Sequence, residues 1–185
     1  MKHLLEIDGV ELCFGSRKIL NDIYLSCETT KVTGLLGQNG QGKTCLLNII
    51  YGNIKAQSRS VRFDGRSVFD AYKRPTLLTY LPQFNFVPEQ LSLSRVFGDF
   101  NLNFVDFSNV FPEFIGLATK KISKLSGGQR RLVEVYLLIK SKSQFSLLDE
   151  PFSHIMPLHI EQIKALIIQE KEKKGFLITD HLLET

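Results

Sequence analysis

Apolar and polar residues alternate in short runs over the first 36 positions: Leu5-Glu-Ile7, Val10-Glu-Leu12, Ile23-Tyr-Leu25 and Val32-Thr-Gly-Leu-Leu36. A two-residue period places one face of a strand in a core, so these runs predict strands, the last of them buried. From Lys43 to Tyr51 the residues Leu46, Leu47, Ile49 and Ile50 recur at helical spacing, and Leu77-Leu-Thr-Tyr-Leu81 predicts another strand. Towards the other end, Phe145-Ser-Leu-Leu148 predicts a buried strand. His159 to Lys173 follows as a helix with Ile160, Ile163 and Ile167 on one face, and Phe176-Leu-Ile178 as a strand. Strands alternating with helices predict an α/β fold, a mostly parallel sheet covered by helices.

Residues 84 to 124 differ in kind. Eight of the fourteen Phe lie between Phe84 and Phe114, and those at 97, 100, 104, 107, 111 and 114 are spaced as one helical stripe. Pro112 is expected to break that stripe, with Asn109 or the residues just after it in the connection. Most of these rings are expected in the core, with one or two near Phe84, Phe86 or Phe97 left exposed as a groove for a partner's short helix.

Composition narrows the picture. A chain of 185 residues, 43% hydrophobic, is long enough to bury a core without disulfides or a structural metal. Cys13, Cys27 and Cys45 are odd in number and lack C-x-x-C spacing, which predicts reduced thiols in a cytosolic protein and no zinc. Net charge is +4, its one basic cluster at 171–174 reads as the solvated end of a helix, and no nucleic-acid partner is expected. No apolar run approaches the roughly 18 residues that span a bilayer, and Met1-Lys-His-Leu-Leu-Glu6 turns acidic early; neither membrane crossing nor export is expected.

Candidate chemistry begins at Gly37-Gln-Asn-Gly-Gln-Gly-Lys43-Thr44, which matches G-x-x-x-x-G-K-[ST] directly after a strand and before a helix. Gly37, Gly40 and Gly42 let successive N–H groups turn inward on phosphate oxygens at a helix N-terminus. Lys43 would reach the β and γ phosphates and Thr44 would ligate Mg²⁺; Asn39 and Cys45 complete the loop. Phe145-Ser-Leu-Leu-Asp149-Glu150 is an apolar strand ending in two acids. Beside a phosphate loop, Asp149 suits the metal shell and Glu150 a base that polarises water. Leu125-Ser-Gly-Gly-Gln129 has the form of a capping box, Ser126 with Gln129, which needs no ligand. Gly127 and Gly128 argue the other way, since they weaken a helix while baring N–H groups to an anion.

Together these motifs resemble the ATP-binding subunits of ABC transporters, from about Val10 to His181. Leu125-Ser-Gly-Gly-Gln129 is similar to that family's signature sequence, lying between a Walker A loop at 37–44 and a Walker B strand at 145–150. Gln83 resembles the Q-loop glutamine, also a metal ligand, and His181 the switch histidine; read alone, they are a surface turn and an ordinary strand end. Phe14 stands where the family places the aromatic that stacks on adenine, and reads equally as core.

The resemblance implies a P-loop fold with an N-terminal antiparallel part. Its ATP-binding core would comprise 1–83 and 125–185, with a small helical subdomain at 84–124. It implies ATP and Mg²⁺ as cofactors and a second ATP-binding subunit whose nucleotide is met by Ser126 and Gly128. It also implies a transmembrane transporter subunit docked beside the Q-loop, and a place on the inner face of the cell membrane. Three departures stand out: Phe84 to Lys124 is short for a helical subdomain, the chain stops four residues after His181, as a fragment or an unusually small member, and Met156 replaces the usual D-loop Asp. Glu150-Pro-Phe and Ile178-Thr-Asp-His181 are most similar to the subgroup serving lipopolysaccharide export and branched-chain amino acid uptake. Alternatives are a soluble ABC-type ATPase acting on the ribosome or DNA, and a nucleotide-binding subunit that does not turn over.

Overall fold

The computed structural model describes residues 2–180. Within it, two of the early alternating runs join into one long strand, β1 (Leu4–Phe14), on which β2 (Arg17–Glu28) folds back antiparallel. Ile7 and Val10 are both buried although three positions apart, a spacing that puts side chains on opposite faces of an unbroken strand. A register shift between them returns both to the core. With β4 (Ser58–Phe63) and β5 (Arg66–Ser67) these strands form an antiparallel sheet ordered β2-β1-β4-β5.

A second sheet, all parallel, contains β3 (Val32–Leu36), β6 (Leu78–Leu81), β7 (Phe145–Asp149) and β8 (Gly175–Asp180) in the order β3-β8-β7-β6. Helix α1 (Lys43–Tyr51) joins the two sheets, burying Leu46, Leu47, Ile49 and Ile50 in one core with Leu5 and Ile7 of β1 and Leu147 and Leu177 of the parallel sheet. The strand order corrects one expectation. β3 pairs only with β8 and is an edge strand, its Val32 and Leu36 40% and 54% exposed. Val32 and Leu36 line an open groove with Phe152, Ile167 and Ile168, while Leu35 packs against the core.

The Phe stripe is divided twice, once before Pro112 as expected and once earlier. Helix α2 (Leu93–Asp99) ends at Phe100, Asn101 takes a left-handed φ of 54°, and Asn103 caps α3 (Phe104–Val110) by accepting from the Val105 N–H at 2.8 Å. Asparagine tolerates the left-handed region and supplies a capping oxygen, so the pair Asn101 and Asn103 breaks the helix before Pro112 is reached. The second break falls at Phe111, where α3 ends and the chain leaves the helical conformation, and Pro112 opens a single 3-10 turn beyond it, Pro112–Phe114. Helices of seven residues do not stand alone in water. Here they are held by aromatic packing: the Phe107 ring lies 5.0 Å from Phe97, 4.7 Å from Phe114 and 4.9 Å from Tyr136 of α4 (Gly127–Lys140). Such pairs contribute about 0.5–1.5 kcal/mol each beyond the area they bury. Phe97, named above as an exposed candidate, is buried, whereas Phe84 is 72% exposed.

The basic cluster after α5 (Pro157–Glu170) is also not all solvated, because Lys174 is buried. Its Nζ donates to the carbonyls of Ser141 at 2.6 Å and Leu138 at 3.1 Å, and to the Ser146 hydroxyl at 3.1 Å. Burial pushes the ammonium down to about 7, against a smaller opposing pull from Glu170. A folded value of about 7 below an unfolded value near 10.4 means that the native state binds fewer protons than the unfolded chain between them. Stability therefore rises with pH over that interval and is lost as pH falls towards 7. Above about 8.5 Cys27 acts in the opposite sense, since burial raises its thiol to about 11. Between pH 7 and 8.5 the Tm of the native chain is expected to climb and that of Lys174→Met to stay level; equal slopes in thermal melts would refute this.

Candidate functional site

All four strands of the parallel sheet end on one side, and the loop after β3 lies there, the edge at which such sheets bind ligands. In that loop Gly37, Gly40 and Gly42 take positive φ. At Gly42 the requirement is doubled, since a Cβ there would lie 2.9 Å from both Ile19 and Leu20 of β2. The Gln38 N–H is already met by an oxygen, Gln41 Oε1 at 2.9 Å, and Lys43 Nζ bonds the carbonyls of Gly37 and Gln38. A buried ammonium and a loop N–H that holds a guest oxygen form a cradle suited to anionic oxygens.

Phe14, Asn39, Gly40, Gly42, Lys43, Thr44, Cys45, Gln83 and Glu150 line one cleft of about 460 Å³. Nine of the sequence-predicted residues therefore come together, with Arg17 and Ile19 of β2, which no spacing in the sequence had marked. Gln83 Nε2 lies 3.1 Å from Thr44 Oγ1. Phe14 is 56% exposed at the cleft rather than in the core.

Asp149 is fully buried beside the cleft. Its Oδ1 accepts from Thr179 Oγ1 at 2.6 Å, and its Oδ2 from Tyr80 OH at 3.3 Å. Burial, and after it the Asp149 charge, raises Tyr80 above the ordinary tyrosine range and shifts the Cys45 thiol upward. Glu150 follows at a left-handed φ of 47°, its Oε2 accepting from Ser153 Oγ at 3.3 Å. Thr44, Gln83 and Asp149 offer oxygen atoms, the donor type that Mg²⁺ takes.

Ser126, Gly127, Gly128 and Gln129 do not line this cleft. Both halves of the capping box are formed: Ser126 Oγ accepts from the Gln129 N–H at 3.2 Å, and Gln129 Oε1 from the Ser126 N–H at 3.1 Å. Gly128 has a further reason to be glycine, because a Cβ would meet the His154 carbonyl at 2.8 Å. Met156 precedes α5 with its side chain 61% exposed and no side-chain cap, so it is not core. His181 lies outside the described residues. A larger cleft, about 700 Å³, opens at the opposite end of the parallel sheet. Its Lys140, Lys173 and Lys174 sit at the carbonyl ends of α4 and α5, where cations complement the helix dipole, so they need no anionic ligand.

A phosphate cradle at the carboxyl edge of a parallel sheet, with an acidic pair two strands away, defines the class of P-loop nucleotide hydrolases. Comparison with known proteins narrows that class. A family model described as ABC transporter matches residues 20–153, and the chain belongs to that family as an ABC-type ATPase. A "Probable ABC transporter ATP-binding protein" of Azorhizobium caulinodans is 33% identical over 94% of this chain and 66% of its own length. The lipopolysaccharide export system ATP-binding protein LptB of Haemophilus influenzae is 26% identical over 96% of this chain and 80% of its own. The chain thus spans about two thirds to four fifths of these relatives. The solved ATP binding subunit of an ABC transporter superimposes with a TM-score of 0.80 at 20% identity, covering 97% of this chain and 80% of that one, a likeness of fold.

Proposed function

We propose that this chain binds and hydrolyses ATP to drive transport through a separate membrane-spanning partner. The observation that carries the reading is the convergence of Lys43, Thr44, Gln83 and Glu150 on one cleft. In the proposed reaction the loop N–H groups and Lys43 hold the β and γ phosphates, and Phe14 stacks on the base. Glu150 takes the proton of the attacking water. Mg²⁺, held by Thr44, Gln83 and Asp149, would neutralise developing charge on the phosphates.

Residues 126–129 do not line this cleft, which supports their serving the nucleotide of a second ATP-binding subunit. The segment 84–124 is read as a helical subdomain set between core segments 1–83 and 125–185. Its exposed apolar groove, lined by Phe86, Val87, Pro88, Leu91 and Phe100, suits a short helix of the transport partner. Among the described residues no helix is long and apolar enough to cross a membrane. The proposed transport partner would give the chain a peripheral place on the inner face of the cell membrane.

Affinity purification from detergent-solubilised membranes is expected to recover a polytopic membrane protein with the parent chain, and at least fivefold less of it with Phe86→Ala. Recovery of ribosomes or DNA in its place would overturn transport as the function.

A further inference from the structure

The left-handed backbone at Glu150 is held from two sides by residues no motif assigns. On one side the Glu150 N–H donates to Thr179 Oγ1 at 3.0 Å, and the same hydroxyl donates to Asp149 Oδ1 at 2.6 Å. On the other, Arg131 Nη2 donates to the carbonyls of Asp149 at 2.8 Å and Glu150 at 3.1 Å, while its Nη1 reaches the Pro82 carbonyl at 2.6 Å. Pro82 is the residue before Gln83. One guanidinium thus spans the backbone on which both Gln83 and Glu150 hang.

Both residues are unusual where they stand. Arg131 is 5% exposed and Thr179 fully buried. Burial alone shifts the guanidinium downward, opposed by the charges of Glu134, Asp149 and Glu150. A buried cation spent on three carbonyls needs a reason, since an apolar residue of similar volume would fill the space without desolvating a charge. The reason visible here is backbone conformation. A non-glycine residue at positive φ persists only where its surroundings over-determine it, and Glu150 has a hydrogen-bond partner on its N–H, another on its carbonyl and a third on its carboxylate.

We infer that Arg131 and Thr179 are positioning residues for ATP hydrolysis, a two-sided clamp that fixes Glu150 in the left-handed conformation and sets its spacing from Gln83. The inference rests on the reading of Glu150 as the base. The clamp extends towards the docking groove through the same helix. Glu134, one turn further along α4 and fully buried, accepts from the N–H groups of Phe86 at 3.0 Å and Val87 at 3.1 Å. Arg130 donates to the Val87 carbonyl at 2.6 Å. A displacement of residues 86–87 by a partner therefore bears on the helix that carries Arg131.

The test is phosphate release by the full chain with Thr179→Val, which removes the hydroxyl at nearly constant volume, and with Arg131→Met. Each is expected to lower kcat at least tenfold with KM for ATP within threefold of the parent. Thr179→Ser, which keeps the oxygen, should retain at least half of kcat. A role confined to packing would depress Tm in both Thr179 variants and leave kcat alike. Turnover within twofold of the parent in both Thr179→Val and Arg131→Met, beside an inactive Glu150→Gln control, would overturn the clamp. An active Glu150→Gln control would instead overturn the base assignment, so the two failures are told apart by that variant.

Discussion

Glu150→Gln is expected to bind ATP as tightly as the parent and to hydrolyse it at least a hundredfold more slowly. The amide keeps the shape and can still accept from Ser153 Oγ, which lies 3.3 Å from the carboxylate, but it cannot take a proton from water. A positioned base contributes roughly 10²–10⁴ in rate, so the loss should lie in kcat rather than KM. Under the proposed pairing with a second ATP-binding subunit, the variant should also accumulate an ATP-held dimer, since slow hydrolysis would leave γ-phosphate contacts between the two in place. Single-turnover assays and light scattering in the presence of ATP measure both effects. Parent-like turnover would leave the cleft without its base.

Lys43→Ala is expected to fail one step earlier, at binding. The Lys43 ammonium, buried and turned into the loop against the Gly37 and Gln38 carbonyls, is placed to exchange those neutral acceptors for phosphate oxygens. A charge-assisted hydrogen bond of this kind is worth roughly 1.5–3 kcal/mol, which corresponds to about a 10- to 100-fold rise in Kd for ATP. Titration calorimetry should record that rise in Lys43→Ala and none in Glu150→Gln. A Kd within twofold of the parent would remove Lys43 from the phosphate site.

The strand–helix alternation, the loop at 37–44 and the acidic end of β7 could be read from sequence because each is a local pattern with a local cause. What escaped was set by distant neighbours. Val32 and Leu36 form an apolar run, and nothing in that run says that β3 lies at a sheet edge; the order β3-β8-β7-β6 decides it. Lys174 belongs to a charge run whose other members are paired or solvated, and only the serine cage from α4, β7 and their connection takes it inside. The Phe stripe kept its period and its break before Pro112, but Asn101 and Asn103 add an earlier one. Arg17, Arg131 and Thr179 carry no spacing signal: Arg17 is brought to the cleft by the fold, and what makes the other two noteworthy is the backbone they meet, the Asp149 carbonyl 18 residues from Arg131 and the Glu150 N–H 29 residues from Thr179.

Between Ser126 and Glu134, little more than two turns of α4 hold three duties at once. The glycine turn abuts the His154 carbonyl, Arg131 grips the ends of β6 and β7, and Arg130 with Glu134 braces residues 86–87. Duties so crowded cannot be exchanged one at a time. A chimera that received a foreign segment at 84–91 would inherit the wrong struts unless residues 126–134 travelled with it. A library randomised at positions 130, 131 and 134 would return its survivors as correlated sets rather than as independent choices.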